Sequence, residues 1–126
     1  MAKILVIDDD PMMLELYREI LTRHGDDVVL AENGTQGLAR AVRVELIIVD
    51  LMMPNLNGYE FMTQLRVLDG HGEGSTPIIA ASGLGTDELA LAAGADRFIR
   101  KPFRSPELIA LVDELLARDG KGPGSV

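Results

Sequence analysis

Cysteine and tryptophan are both absent from this chain of 126 residues. Without cysteine there can be no disulfide bond, no thiolate zinc site and no cysteine nucleophile. An aromatic content of 4% leaves few rings on which a nucleobase or a flavin could stack. The composition therefore excludes chemistry that depends on thiolates, and it fits a protein of the cytoplasm.

Long apolar runs and positive charge are also scarce. No run approaches the roughly 20 residues that span a bilayer, and the N-terminus, MAKILVIDDD, does not have the layout of a signal peptide. The 12 basic residues are scattered among 20 acidic ones, which gives a formal net charge of −8. Binding to a phosphate backbone needs clustered lysine and arginine. We therefore expect neither membrane insertion nor direct nucleic-acid binding by this domain.

Hydrophobic residues make up 47% of the chain, which at this length is typical of one compact domain. We expect the domain to occupy residues 1–119. Residues 120–126, GKGPGSV, are predicted to form a flexible tail or a linker stub.

Apolar runs alternate with helical patterns along this domain. Strands are predicted at 3–7, 27–31, 46–50, 77–82 and 97–99, and helices at 11–24, 34–42, 59–68, 86–93 and from 105 onward. Asp10 and Pro11 are predicted as N-cap and first residue of the first helix, and Ser105 as N-cap of the last. Five strands that are each followed by a helix predict an α/β fold, a doubly wound parallel sheet with helices on both faces.

The ends of the predicted strands carry the polar residues of interest. Asp8 and Asp9 follow the first strand, Asp50 ends the third, Ser82 ends the fourth, and Lys101 comes just after the fifth. Ligands of such sheets bind beyond the carboxyl ends of the strands. Converging carboxylates must share a proton, be offset by cations or bind a metal, and Mg²⁺ fits such oxygen ligands best. A phosphoryl group on Asp50 would need its oxygens neutralised, and Mg²⁺, Lys101 and Ser82 supply three neutralising groups.

Four motifs, VIDDDP, VDLMMPNLNG, AAS and KPF, stand in this order at strand ends. Together they resemble the receiver domain of two-component response regulators, over about residues 3–117. The resemblance implies a flavodoxin-like strand order, 2-1-3-4-5. It also implies a phosphoacceptor regulator rather than an enzyme, with a sensor histidine kinase or a phosphotransfer protein as partner.

The resemblance assigns roles to the acids. It implies that Asp50 accepts the phosphoryl group from a phosphohistidine. It implies that Asp8 and Asp9 hold Mg²⁺, together with Asp50 and the backbone carbonyl of Met52. Asp10 is a third acid in the first motif, where a role in the site competes with helix capping, and capping is favoured because Pro11 follows.

The remaining motifs are implied to switch the domain. Ser82 is the switch hydroxyl, Lys101 pairs with the acids and then with a phosphoryl oxygen, and the Lys101-Pro102 bond is cis. Phe98 stands at the switch aromatic position, although its pattern is equally that of a core residue. The fourth helix, fifth strand and fifth helix form the implied surface for an effector or a homodimer.

Two departures from the family carry predictions. Gly94 follows Ser82 sooner than in the family, by about one helical turn or roughly 3–4 residues. The fourth helix should therefore be short, or begin after an irregular loop at 83–86. Met52 and Leu84 stand where the family flanks the path of the attacking water. Neither side chain can orient a water by strong hydrogen bonds, which predicts slow self-dephosphorylation.

Three other functions are alternatives to a receiver domain. A phosphohydrolase of the haloacid dehalogenase type is imitated by Asp8-x-Asp10, but Met12 stands where that motif has threonine or valine. A flavodoxin-like FMN carrier needs a phosphate-cradling loop after the first strand, where this chain has carboxylates. An adaptor that is never phosphorylated is disfavoured by the intact set of acids. Neither His24 nor His71 is assigned to a metal.

Overall fold

A computed structural model of the chain describes residues 2–53, 57–69, 75–83 and 87–118. Strands and helices alternate strictly within these ranges. Their bounds are β1 (Lys3–Ile7), α1 (Pro11–Arg23), β2 (Asp27–Ala31), α2 (Gly34–Arg40), β3 (Leu46–Asp50), α3 (Gly58–Asp69), β4 (Ile78–Ser82), α4 (Asp87–Ala92), β5 (Arg97–Arg100) and α5 (Ser105–Arg118). The alternation confirms the α/β organisation expected from the sequence.

The strands form a single parallel sheet in the order β2-β1-β3-β4-β5. This order confirms the one implied by the resemblance. The central strand β3 and its neighbour β4 are buried along their whole lengths, because helices cover both faces of the sheet. All five strands run in one direction, so their carboxyl ends lie along one edge.

Alternation along the strands divides the core into two layers. Ile4 and Val6 of β1 and Ile48 of β3 pack in one layer with buried residues of α1 and α5. Leu5 and Ile7 of β1 belong to the other layer, with buried residues of α3 and α4. Successive side chains of a strand point to opposite faces, so each strand contributes to both layers and the helices lie on both sides as predicted.

Asp10 caps α1, as the sequence predicted. Its backbone is extended and its carboxylate accepts the Met12 N–H at 2.9 Å, while Pro11 occupies the first helical turn. Proline is well suited to this position because its missing N–H would have no partner inside the helix. The third acid of the first motif therefore has a structural role at the start of α1.

The prediction for the start of α5 was wrong by one residue. The helix begins at Ser105, and the carbonyl of Arg104 accepts the Leu108 N–H at 3.3 Å, which places Arg104 at the cap position. The Glu107 carboxylate accepts the Arg104 N–H at 3.0 Å. Glu107 thus makes one of the two hydrogen bonds of a capping box, the one in which a side chain at the third helical position accepts the N–H of the cap residue. The sequence did not predict this bond, because the Ser-Pro pair favoured Ser105 as the cap.

Other predicted boundaries shift by one or two residues. The strand β4 begins at Ile78 rather than Pro77, β5 continues to Arg100, α2 ends at Arg40 rather than Val42, and α3 begins at Gly58. Element ends depend on local hydrogen bonds that periodicity does not record. The helix α4 has six residues, in agreement with the short fourth helix predicted from the Ser82–Gly94 spacing.

Several predictions fall outside the described residues. They concern Leu84, Thr86, His71, residues 54–56 of the VDLMMPNLNG motif and the tail at 120–126. Among the described residues, no helix is long and apolar enough to cross a membrane.

A buried arginine joins the elements that carry the site. Arg66 of α3 is 7% exposed. Its guanidinium donates to the carbonyl oxygens of Gly94 at 2.8 Å and Thr76 at 2.7 Å, and it pairs with Asp96 at 3.2 Å. Asp96 also accepts the Ile78 N–H at 2.8 Å. These bonds fix the starts of β4 and β5, whose far ends carry Ser82 and Lys101.

Candidate functional site

Asp8 and Asp50 lie side by side at the carboxyl edge of the sheet. Asp8 comes directly after β1 and Asp50 is the last residue of β3, its neighbour in the sheet. Asp8 is 1% exposed and Asp50 6% exposed. Burying two like charges so close together is unfavourable unless a cation offsets them, so the edge is built to hold positive charge.

Lys101 supplies one positive charge to these acids. Its Nζ lies 2.8 Å from Oδ2 of Asp8 and 3.4 Å from Oδ2 of Asp50. Burial opposes its charge, but the hydrogen bond to Asp8 and the two carboxylate charges leave the pKa of Lys101 raised. The ammonium is therefore fixed between the two acids, as the resemblance implied.

The Asp50 carboxylate is less fully satisfied than that of Asp8. Oδ1 of Asp8 accepts the Asp10 N–H at 2.9 Å, and its Oδ2 accepts Lys101. Oδ1 of Asp50 accepts the Met52 N–H at 3.1 Å, while the described part of the chain offers its Oδ2 only the longer approach to Lys101. Burial, together with the nearby Asp8 charge, raises the pKa of Asp50 despite the Met52 N–H and Lys101.

Ser82 ends β4 beside these groups. It is 1% exposed, and its backbone carbonyl accepts the Lys101 N–H at 2.9 Å. This bond continues the ladder between β4 and β5 and holds the Lys101 backbone at the edge. The Lys101-Pro102 peptide bond is cis, as expected.

Phe98 lies in the opposite layer from the acids. It is paired with Ala80 in the sheet register and packs, half-buried, against the cluster that contains Ala80. The Arg100 guanidinium stands 5.9 Å from the centre of its ring. Phe98 is therefore a half-buried residue of β5, a position that is compatible with both the core and the switch interpretation.

The three acids at this edge are close enough together to hold one cation. Carboxylate oxygens of Asp8, Asp9 and Asp50 all lie within 4.8 Å of one another, and Asp9 is exposed while the other two are buried. When ionised, three carboxylates and the Lys101 ammonium leave an excess of two negative charges. Hard oxygen donors with this excess suit a divalent ion such as Mg²⁺, which keeps several of its waters and therefore needs an open side.

Gly58 contributes to the site in a way that the sequence did not reveal. A Cβ atom at this position would lie 2.4 Å from the Asp50 carbonyl oxygen and 2.7 Å from the Leu51 Cα. The start of α3 thus packs directly against the backbone of the phosphoacceptor candidate. Gly58 closes the VDLMMPNLNG motif that begins one residue before Asp50, but the sequence did not predict its contact with the Asp50 backbone.

Residues 4–113 match the family described as the response regulator receiver domain. The chain belongs to this family. It is therefore a receiver domain of two-component response regulators, and the carboxyl-edge cluster is the region that the family resemblance singled out. Membership argues against the haloacid dehalogenase and flavodoxin alternatives, and the capping role of Asp10 leaves the dehalogenase motif without its second acid.

Individual relatives agree with this assignment. The receiver domain is 36% identical to the transcriptional regulatory protein CpxR of Klebsiella pneumoniae, over 94% of this chain and 50% of the relative. It is 35% identical to the DNA-binding response regulator MtrA of Mycobacterium tuberculosis, over 98% of this chain and 54% of the relative. The chain thus spans about half the length of the curated relatives it matches.

Solved structures share the fold closely. The chemotaxis protein CheY4 of Vibrio cholerae has a TM-score of 0.84 and 30% identity, with 92% of this chain and 99% of that chain covered. A response regulator receiver domain protein from Clostridium thermocellum also has a TM-score of 0.84, at 28% identity, with 94% and 96% covered.

Proposed function

We propose that Asp50 is the phosphoacceptor of this receiver domain. Three observations support Asp50 over its neighbours: it ends the central strand, Lys101 Nζ lies 3.4 Å from its Oδ2, and among the described residues this oxygen has no shorter hydrogen bond. Asp8 is committed through both oxygens to the Asp10 N–H and Lys101. Asp9 is exposed at the rim of the cluster.

The donor is a phosphohistidine of a sensor histidine kinase or of a phosphotransfer protein. In the transfer, an Asp50 oxygen forms a bond to phosphorus while the phosphorus–nitrogen bond breaks and its electron pair returns to the imidazole. The charge on the equatorial oxygens must be offset during this step. Lys101 offsets one oxygen from its place between the acids, and the Ser82 hydroxyl donates to another.

Asp8, Asp9, Asp50 and the Met52 backbone carbonyl are the proposed ligands of Mg²⁺. The ion supplies the remaining positive charge that the transferred group requires. Asp8 and Asp9 would position the ion next to Asp50. The Met52 N–H, at 3.1 Å, holds the Asp50 carboxylate in place. The domain acts on no separate substrate in this proposal: it catalyses its own phosphorylation and slow dephosphorylation.

The output is proposed to pass through α4, β5 and α5. Two relatives carry names of transcriptional or DNA-binding regulators, and about half of each lies outside the match. An effector region of a longer protein, or a second receiver, is therefore a fitting occupant of this surface. An Arg97–Glu114 ion pair already joins β5 to α5, so the two elements can move as one.

The test is phosphorylation by phosphoramidate and Mg²⁺, followed by intact mass. The wild type should gain one phosphate, and Asp50→Asn should gain none. Asp10→Asn is the matched control, because asparagine caps a helix as well as aspartate does, and it should still gain one phosphate. Chelation of Mg²⁺ should abolish the adduct. A phosphate retained by Asp50→Asn would overturn the assignment.

A further inference from the structure

The hydroxyl of Tyr17 is an unexplained polar group next to the site. Tyr17, in the middle of α1, is 1% exposed. Among the described residues, its hydroxyl is buried without a hydrogen-bond partner. Buried polar side chains nearly always have a partner, so such an exception requires a physical explanation.

The layer that holds Tyr17 also receives the acids. Val6 and Ile48 pack in the layer of Tyr17, and Asp8 and Asp50 each follow two residues later in the sequence. Because residues two apart on a strand share a face, both carboxylates project into this layer at its carboxyl edge. Helical side chains lean toward the helix N-terminus, and α1 begins at that edge. The Tyr17 ring is thereby directed toward the acids.

The charge of the site keeps Tyr17 a donor. Burial, followed by the negative charges of Asp8 and Asp50, raises the pKa of Tyr17 well above its usual value. A phenol that stays protonated can donate a hydrogen bond to a carboxylate.

The ring itself is fixed relative to Lys101. Tyr17 packs on Phe103, with ring centres 5.4 Å apart and an angle of 38° between the planes. Phe103 lies two residues after Lys101. A movement of the segment that carries Lys101 and Phe103 would therefore also displace the Tyr17 ring, because the two rings are in direct contact.

In the structure one oxygen of Asp8, Oδ2, depends on Lys101 for a donor, while Oδ1 accepts the Asp10 N–H. Its Oδ2 accepts Lys101 Nζ at 2.8 Å, and the carboxylate is almost completely buried. If Lys101 turns to a phosphoryl oxygen on Asp50, Asp8 loses that donor. We propose that Tyr17 is a positioning residue whose hydroxyl replaces Lys101 as the donor to Asp8, directly or through one water, in the phosphorylated state. This inference rests on the proposed function of Asp50 and Lys101.

Tyr17→Phe tests the role of the hydroxyl and keeps the ring. Tyr59→Phe is the matched control, because Tyr59 packs half-buried in the opposite layer. Each variant and the wild type are compared by thermal unfolding without ligand and by calorimetric titration with beryllium fluoride and Mg²⁺, which imitate the phosphorylated state. We expect Tyr17→Phe to be as stable as the wild type or more so. Its affinity for beryllium fluoride should fall about tenfold, as loss of a hydrogen bond to a charged group implies.

A spectroscopic readout separates positioning from general stability. A tyrosine that begins to donate to a carboxylate shifts its near-ultraviolet absorbance. Beryllium fluoride should produce this shift in the wild type and in Tyr59→Phe, and the shift should be lost in Tyr17→Phe.

The outcomes distinguish this inference from the function on which it rests. Equal affinity of Tyr17→Phe and the wild type would overturn the role of Tyr17 alone. So would a marked loss of stability in the unliganded variant, because the hydroxyl would then have a partner already. If the wild type binds no beryllium fluoride and takes no phosphate, the proposed function itself is wrong.

Discussion

Gly58→Ala should disturb both the fold and the phosphoacceptor. The new Cβ would lie 2.4 Å from the carbonyl oxygen of Asp50 and 2.7 Å from the Cα of Leu51. Both are backbone atoms of the segment that leaves β3, so neither can move aside by changing a rotamer. Either α3 or the Asp50 backbone must shift by more than half an ångström to restore an ordinary contact.

The size of the effect follows from two opposing contributions. Overpacking of a close-packed site costs about 1–3 kcal/mol and occasionally more. Alanine gains at most about 1 kcal/mol over glycine in a helix, and less at the first helical residue. We expect a net loss of about 2 kcal/mol, a large share of the roughly 5–15 kcal/mol that stabilises a domain. For a domain of this size the midpoint of thermal unfolding should fall by about 8 °C.

The matched control is Gly37→Ala, in the interior of α2. Its new Cβ would meet the Ile7 Cδ1 atom at 2.4 Å and the Phe61 ring at 3.1 Å. These are side-chain atoms of buried residues, and the nearest is the free end of the Ile7 side chain, which can shift more easily than the backbone atoms that face Gly58. The helix also gains stability from alanine. We expect a change in the free energy of unfolding within about 1 kcal/mol.

Thermal unfolding and the rate of phosphorylation by phosphoramidate provide the two measurements. A displaced Asp50 backbone should slow phosphorylation of Gly58→Ala by about tenfold, because small errors of alignment reduce rates strongly. Gly37→Ala should react like the wild type. A Gly58→Ala protein with wild-type stability and rate would refute the claim that close approach of α3 sets the position of Asp50.

Two further predictions concern lifetime and pH. Met52 is 60% exposed, two residues after Asp50, and its side chain cannot orient a water by strong hydrogen bonds. Met52→Asn should therefore shorten the half-life of the phosphorylated domain in Mg²⁺ buffer. Equal half-lives would show that Met52 does not slow self-dephosphorylation. The hydrogen bond that His24 Nδ1 donates to the Asp26 carboxylate, at 2.7 Å, and the Asp113 carboxylate, 3.0 Å from Nε2, raise the pKa of His24 above 6.5. The contribution of protonated His24 to stability is complete below about pH 6.5 and disappears as the pH rises through the raised pKa. The free energy of unfolding in urea should therefore change more between pH 6 and pH 8.5 for the wild type than for His24→Gln. An identical pH dependence of the two proteins would rule out a contribution from His24.

The order of the elements was determined by local patterns in the sequence. The apolar run 46–50 is long enough for one buried strand, and Asp10-Pro11 carries its own signal for a helix start. Such signals act between residues close in the chain, so they survive without knowledge of the fold. Boundaries such as the start of α5 were less certain, because the Glu107–Arg104 bond and the Ser-Pro pair compete over the same few residues.

The membership of the site also followed from the sequence. A parallel sheet brings all carboxyl strand ends to one edge, so Asp8, Asp50 and Lys101 had to meet once their strands were recognised. This argument needs the direction of the strands but no distances.

Only the tertiary structure decided how these groups are satisfied. Lys101 is 93 positions from Asp8 in sequence, yet its Nζ is bonded to that carboxylate and not equally to Asp50. The approach of Gly58 to the Asp50 backbone is likewise a contact between separate elements. The burial of the Tyr17 hydroxyl, which has no hydrogen-bond partner among the described residues, also results from packing between elements. Packing between layers sets such distances, and the periodicity of a single element specifies which face is buried but not which atoms it meets.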